Sequence, residues 1–222
     1  MKRYLVQRAS ALPPAGDFFA PAFWAGAAEG RVDLFRPEGS DHRPDVRFCA
    51  LHDDASLYLR FEVQDRYVRS VQTAYQGSVC RDSCVECFIR PRADRGYFNF
   101  ETNAGGTLLL FYIEDATRVP GGFRKFQMVD AAWGSQVVVH HSLPSVVDPE
   151  LVGPVTWRVG YRMSVALLEA HVGPLGPLAG QVWRVNFYKC GDQTSHPHWA
   201  SWSPIHALNF HLPECFGELE LA

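Results

Sequence analysis

Ser56-Leu57-Tyr58-Leu59-Arg60-Phe61-Glu62-Val63-Gln64 decides the fold class. Leu57, Leu59, Phe61 and Val63 fall on one side, and Tyr58, Arg60, Glu62 and Gln64 on the other. That period of two is the mark of a β-strand with one buried face. His52-Asp53-Asp54-Ala55 supplies the turn before it, and residues 46–51 read as its hairpin partner. The alternation recurs in residues 84–90, where Val85, Cys87 and Ile89 oppose Cys84, Glu86 and Phe88. In residues 97–103, Phe98, Phe100 and Thr102 oppose Tyr97, Asn99, Glu101 and Asn103. Gly105-Gly106 turns the chain into a strand over 107–113, and further strands are expected at 123–129, 136–141, 157–165, 182–190 and 217–221.

Turn residues punctuate these runs at Pro13-Pro14, Pro120-Gly121-Gly122, Pro174, Pro177 and Pro213. Helix is confined to a short turn over 18–24, with Asp17 as its cap, and another over 167–171 ended by Gly173-Pro174. Many short strands without alternating amphipathic helices exclude a parallel α/β fold. The expectation is an all-β, two-sheet antiparallel β-sandwich of jelly-roll or immunoglobulin-like layering, with residues 1–222 forming one domain.

The composition fits that expectation. A chain of 222 residues, 47% hydrophobic, 20% charged and 13% aromatic, can bury a sizeable core unaided. The net charge of −3 carries no basic stripe, which sets nucleic acid aside. Gln7 and Arg8 interrupt any leader-like apolar segment after Lys2 and Arg3, and no apolar run is long enough to span a bilayer. That favours the cytoplasm over secretion and otherwise leaves localisation open. The six cysteines, Cys49, Cys80, Cys84, Cys87, Cys190 and Cys215, read as free thiols.

Four constellations bear on chemistry. Cys80, Cys84 and Cys87 have the spacing of an iron–sulfur signature. Cys84 and Cys87 lie three apart on a strand, however, so they point to opposite faces and cannot converge on one cluster. His196, His198, His206 and His211 lie near Asp192, Cys190 and Cys215, in a spacing that fits no standard zinc pattern. Glu86 and Glu101 resemble a glycosidase carboxylate pair, yet acidic residues on a sheet more often hold ligand hydroxyls or arginines. The fourth is a polar row across several strands: Arg60 and Glu62, then Glu86, then Asn99, Glu101 and Asn103, then Arg184, Asn186 and Tyr188. Such groups make directed hydrogen bonds to sugar hydroxyls, and Trp199, Trp202 and Phe210 offer rings for the apolar faces of a pyranose.

Two segments carry a resemblance. One is Asp82-Ser83-Cys84-Val85-Glu86-Cys87-Phe88-Ile89 followed by Tyr97-Phe98-Asn99-Phe100-Glu101-Thr102-Asn103. The other is Trp183-Arg184-Val185-Asn186-Phe187-Tyr188 continuing through Trp199-Ala200-Ser201-Trp202 and Phe210 to Leu219. From about residue 40 onward the chain resembles the family 9 carbohydrate-binding modules and their DOMON-related relatives, β-sandwiches that hold sugar ends between two tryptophans. The resemblance implies that Glu86 matches an acidic site residue, that Glu101 and Asn103 match polar site positions, and that Phe210 stands where the second tryptophan does. No aromatic stands near Cys80, where the first is expected, leaving Tyr75 or Trp202 to replace it.

The expected function is non-catalytic binding of a saccharide or other small polyhydroxylated ligand by Arg60, Glu86, Asn99, Glu101, Asn103, Asn186, Tyr188, Trp202 and Phe210. No cofactor is expected, although Asp41, Asp45, Asp53 and Asp54 offer turn carboxylates to calcium. The alternatives are a haem- or metal-binding relative using Met128, Met163 and some of the nine histidines, and a glycoside-processing enzyme using Glu86 and Glu101.

Overall fold

In the computed structural model, which describes residues 1–222, the alternation at residues 56–64 continues to Ser70 as one 15-residue strand. In chain order the strands are β1 (Arg3–Arg8), β2 (Gly30–Arg31), β3 (Leu34–Phe35), β4 (Asp45–His52), β5 (Ser56–Ser70), β6 (Cys84–Arg90) and β7 (Tyr97–Asn103). They continue as β8 (Leu108–Val119), β9 (Gly122–Met128), β10 (Val137–His141), β11 (Val147–Ser164), β12 (Val182–Cys190), β13 (Trp199–Ser201) and β14 (Gly217–Leu221). Three short helices intervene: α1 (Pro21–Trp24), α2 (Ala131–Gly134) and α3 (Val165–Val172). No helix is long and apolar enough to cross a membrane.

The strands form two layers. One runs β10-β11-β5-β4 and the other β14-β12-β6-β7-β8-β9. β1 joins them, pairing in parallel with β14 through Arg3 to Val6 and with β4 through Gln7 and Arg8. The core lies between the layers. Leu57, Leu59, Phe61 and Val63 of β5, with Trp157, Val159 and Tyr161 of β11, meet Val85 and Cys87 of β6, Phe98 and Phe100 of β7, and Trp183 and Phe187 of β12. The all-β sandwich read from the sequence is therefore the fold.

Several local readings need correction. α1 begins at Pro21 behind Ala20, with no side-chain cap; proline's fixed φ starts the turn, and Asp17 lies in the turn before it. α3 is longer than expected but ends as expected, with Gly173 at φ +82° and its N–H donating to the Glu169 carbonyl. β11 begins ten residues earlier than 157, because Pro149, Gly153 and Pro154 are absorbed by two register shifts against β5.

The outer face of each layer is also covered. Phe18 and Trp24 from the N-terminal segment pack with Cys49, Leu51 and Tyr58 on the first layer. On the second, Ile205 and Phe216 of the C-terminal loop pack with Phe88, Tyr97, Ile113, Phe123 and Tyr188. That loop closes over most of the polar row but not all of it.

Candidate ligand-binding site

Register decides which side chains meet on the outer face of the second layer. Glu86 of β6 stands opposite Glu101 of β7 on one side and Tyr188 of β12 on the other. The row below it is Cys190, Cys84 and Asn103, and the row above is Asn186, Phe88 and Asn99. A pocket of about 320 Å³ opens over the central row. Glu86, Asn99, Glu101 and Cys190 form its floor, with Trp199, Phe210, Phe111 and Phe123 around it. A larger cleft of about 470 Å³ lies at the end of the sandwich, beside Tyr75, Gly106 and His141. It holds no carboxylate and no cationic side chain other than histidine, so the chemistry converges in the smaller one.

The floor is electrostatically unusual. Glu86 is 2% exposed, and its one hydrogen-bond partner is the Cys190 Sγ, 3.1 Å from Oε1. Glu101 accepts a 2.7 Å hydrogen bond from Asn99 Nδ2. Neither carboxylate has a lysine or arginine within salt-bridge distance, and Arg118 at the rim lies instead over the Phe123 ring, 4.1 Å from its centroid. Burial first, and then the Glu101 charge, hold Glu86 well above the ordinary carboxylate range. Burial pushes Glu101 up to about 7. Directly opposed residues on paired strands have Cβ atoms roughly 5 Å apart, so two ionised carboxylates there repel strongly.

The structure brings together Glu86, Asn99, Glu101 and Phe210. Tyr188 lies directly behind Phe210, stacked at 4.1 Å, and donates to the Phe210 carbonyl at 2.9 Å. The other expected residues lie elsewhere. Arg60 is on the first layer, over the Trp24 ring. The Asn103 amide donates to Asp82 and to the Gln72 carbonyl and accepts from Thr107 N–H, which knits the surrounding turns. Asn186 is sealed by Ser203, whose N–H it accepts and whose carbonyl it donates to. Trp202 belongs to the main core, edge-on to Phe48 and Phe187. A Cβ on Gly217 would lie 2.4 Å from the Trp202 ring, so that core contact requires glycine.

Trp199, offered by the sequence as a ring beside Trp202 and Phe210 but left out of the expected binding residues, is the tryptophan that lines the pocket. It pairs with Cys190 across β12–β13, so it shares the outer face of Cys190, whereas Trp202 N–H donates to the Phe187 carbonyl on the core side. The parity of residues 199 and 202 along an extended segment was the available signal. Tyr75 donates to the Val129 carbonyl beside the larger cleft and does not line this pocket.

The histidines disperse. His198 is fully buried, and its Nε2 accepts from Lys189 Nζ at 2.8 Å while Nδ1 donates to the His196 carbonyl. His211 meets the Tyr97 hydroxyl at 2.8 Å, and His206 is exposed beside Glu214 and Cys215. Lys189, also fully buried, donates to the Cys190 carbonyl and stands 3.9 Å from Asp65. Asp65 in turn accepts from His42, Trp157 Nε1 and the backbone N–H groups of Arg66 and Tyr67. Burial alone would raise the Asp65 carboxyl; the Lys189 charge and these hydrogen bonds outweigh it and hold it well below the usual range. Met163 is in the core and Met128 is exposed, and neither lines a pocket with a histidine. Asp45 pairs with Arg31 and Arg47, Asp53 bonds Ser56 N–H and Tyr58, and Asp54 pairs with Arg8, so these carboxylates do not converge.

Comparison with known proteins agrees with the fold. The profile of carbohydrate-binding family 9 matches residues 25–221. A candidate carbohydrate-binding protein from Bacteroides uniformis superposes with a TM-score of 0.86 at 28% identity, covering 100% of this chain and 99% of the other. A family 9 module from Caldicellulosiruptor kristjanssonii in complex with glucose gives 0.65 at 15% identity, covering 100% and 96%. The complex of such a module with cellotriose gives 0.64 at 15% identity, covering 99% and 93%. No curated protein matches the chain.

Proposed function

This chain belongs to carbohydrate-binding family 9, whose modules are non-catalytic binding domains, and we propose that it holds a saccharide over Glu86 and Glu101 without chemically altering it. The observation that carries the reading is the state of those carboxylates. They are buried, nearly free of protein partners, and walled by Trp199 and Phe210. Buried acceptors without donors are costly, and sugar hydroxyls are donors that satisfy them. The rings cover the apolar faces of a pyranose, and the pocket is at the small end of the range for ligand sites, which suits one or two sugar units.

Glucose and cellotriose, the ligands of the Caldicellulosiruptor modules, are the first saccharides to test. Calorimetric titration of a panel of mono- and oligosaccharides should give saturable binding that Glu86→Gln abolishes and Trp199→Ala weakens. A panel without binding at millimolar ligand, or binding that Glu86→Gln leaves intact, overturns the reading. Incubation of the same panel should return every saccharide unchanged; a cleaved aryl-glycoside would overturn the non-catalytic part.

A further inference from the structure

The thiols below the saccharide pocket have no role in that reading. Cys84 and Glu86 are two apart on β6 and share its outer face. Cys190 is the direct cross-strand partner of Cys84 on β12. The two Sγ atoms and a Glu86 carboxylate oxygen lie within 4.8 Å of one another, and all three residues are buried. Cys190 and Glu86 reach the pocket wall, with Cys84 behind them, and Cys80 lines the same pocket.

The hydrogen-bonding of this trio does not close on itself. Cys190 has one S–H, yet two acceptors stand before it: Glu86 Oε1 at 3.1 Å and the Cys80 carbonyl at 3.6 Å. Cys84 Sγ faces the Val85 carbonyl at 3.7 Å. Glu86 therefore has at best one weak sulfur donor, and its second oxygen has no protein partner. A buried carboxylate in a finished structure normally accepts several strong bonds. Asp82, equally buried, accepts from Val71 N–H, Gln72 N–H, Asn103 and Arg69. The Glu86 side chain is thus an under-satisfied acceptor beside two thiols, with one weak sulfur donor.

We propose that Cys84 Sγ, Cys190 Sγ and the Glu86 carboxylate bind one thiophilic divalent cation of the zinc class. Binding deprotonates both thiols and any protonated Glu86 carboxyl: one cation enters, two metal–sulfur bonds and one metal–oxygen bond form, two S–H bonds break, and two protons leave to solvent, with a third from Glu86 wherever its carboxyl is protonated. Two sulfurs and one oxygen suit zinc and disfavour calcium or magnesium, which take oxygen ligands. The remaining coordination position is reached from the pocket, past Glu86 and Cys190. The assignment does not depend on the saccharide reading and is tested without sugar.

The experiment is an anaerobic titration of reduced, chelator-stripped protein with Co²⁺. One equivalent should bind, with a thiolate-to-cobalt charge-transfer band, the intense d–d bands of a tetrahedral site, and release of two to three protons. Zn²⁺ should then erase both sets of bands. Cys84→Ser and Cys190→Ser should each lose the charge-transfer band, and Cys49→Ser, on the first layer, should keep it. Glu86→Gln, the gentlest change, should weaken Co²⁺ binding by more than about tenfold, which keeps the test decisive if a serine variant does not fold. Absence of the charge-transfer band in reduced wild-type protein overturns the proposal. So does a band that survives Cys190→Ser and disappears in Cys215→Ser, because the ion would then sit on the exposed His206 and Glu214 with the half-buried Cys215.

Discussion

Lys189 and Cys190 are neighbours on β12, and each opens onto a buried polar cluster, one on either face of the same sheet. Between the layers, Lys189 meets Asp65, His198 and the Cys190 carbonyl, and Asp65 has four further donors. Cation and anion balance there, and the protein supplies the hydrogen bonds. On the outer face, two carboxylates stand side by side with one amide and one thiol as donors and no cation within ion-pair distance. Both clusters are buried, the outer one beneath an open pocket. What separates structure from site is whether the protein completes its own polar groups or leaves them for something else to complete.

The largest effect should come from breaking the completed cluster. Lys189→Met strands Asp65 as an unpaired buried charge and should cost about 3–5 kcal/mol by urea denaturation. A variant that keeps wild-type stability would mean that this cluster is as open as the other one. Glu86→Gln should do the reverse. The folded value of that carboxyl is raised, so its contribution to stability is present below about pH 4.3 and is lost as pH rises. Replacing it should therefore leave stability unchanged or increase it by about 1–3 kcal/mol at neutral pH, while saccharide binding is lost. A destabilised Glu86→Gln would place the residue with the structural cluster.

Acidification sharpens the same contrast. His198 is pushed down to about 3, by burial first and then by the Lys189 charge. Its stabilising contribution is complete above about pH 6.5 and drains away as pH falls toward that depressed value, at up to about 1.4 kcal/mol per pH unit. Melting temperature should fall between pH 6.5 and 4, and His198→Gln should flatten the slope. A smaller effect is expected at the pocket wall, where Phe210→Ala should weaken saccharide binding about tenfold without unfolding the protein. Arg60→Ala, on the far layer, should change binding by less than about twofold; a larger loss would place the ligand on the wrong sheet.

Much of the fold was legible because it rests on parity. β12 and β14 occupy the expected residues 182–190 and 217–221, and the core faces of β5, β6 and β7 follow their alternation. β1 was not legible, because six residues with Tyr4 and Val6 buried between basic side chains resemble the start of a leader. The first half of β11 was hidden by two prolines that its bulges accommodate. In the site, Glu86, Asn99 and Glu101 emerge from parity plus register between two adjacent strands. Arg60, Asn103, Asn186 and Trp202 share the polar or aromatic character but not the location. Assigning them requires knowing which layer a strand joins and what the loop over 203–216 covers, and both depend on contacts far apart in sequence.

β1 carries a consequence of another kind. Its Arg3 lies beside Glu218, 215 residues away, and the same short strand continues onto β4. During synthesis it leaves the ribosome long before β14 exists, so one of its two edges stays unpaired while the rest of the chain emerges. Contacts of such separation form slowly and late. The strand that welds the two layers together is thus completed only after β14 has been made, and until then one of its edges is free for other chains to pair with.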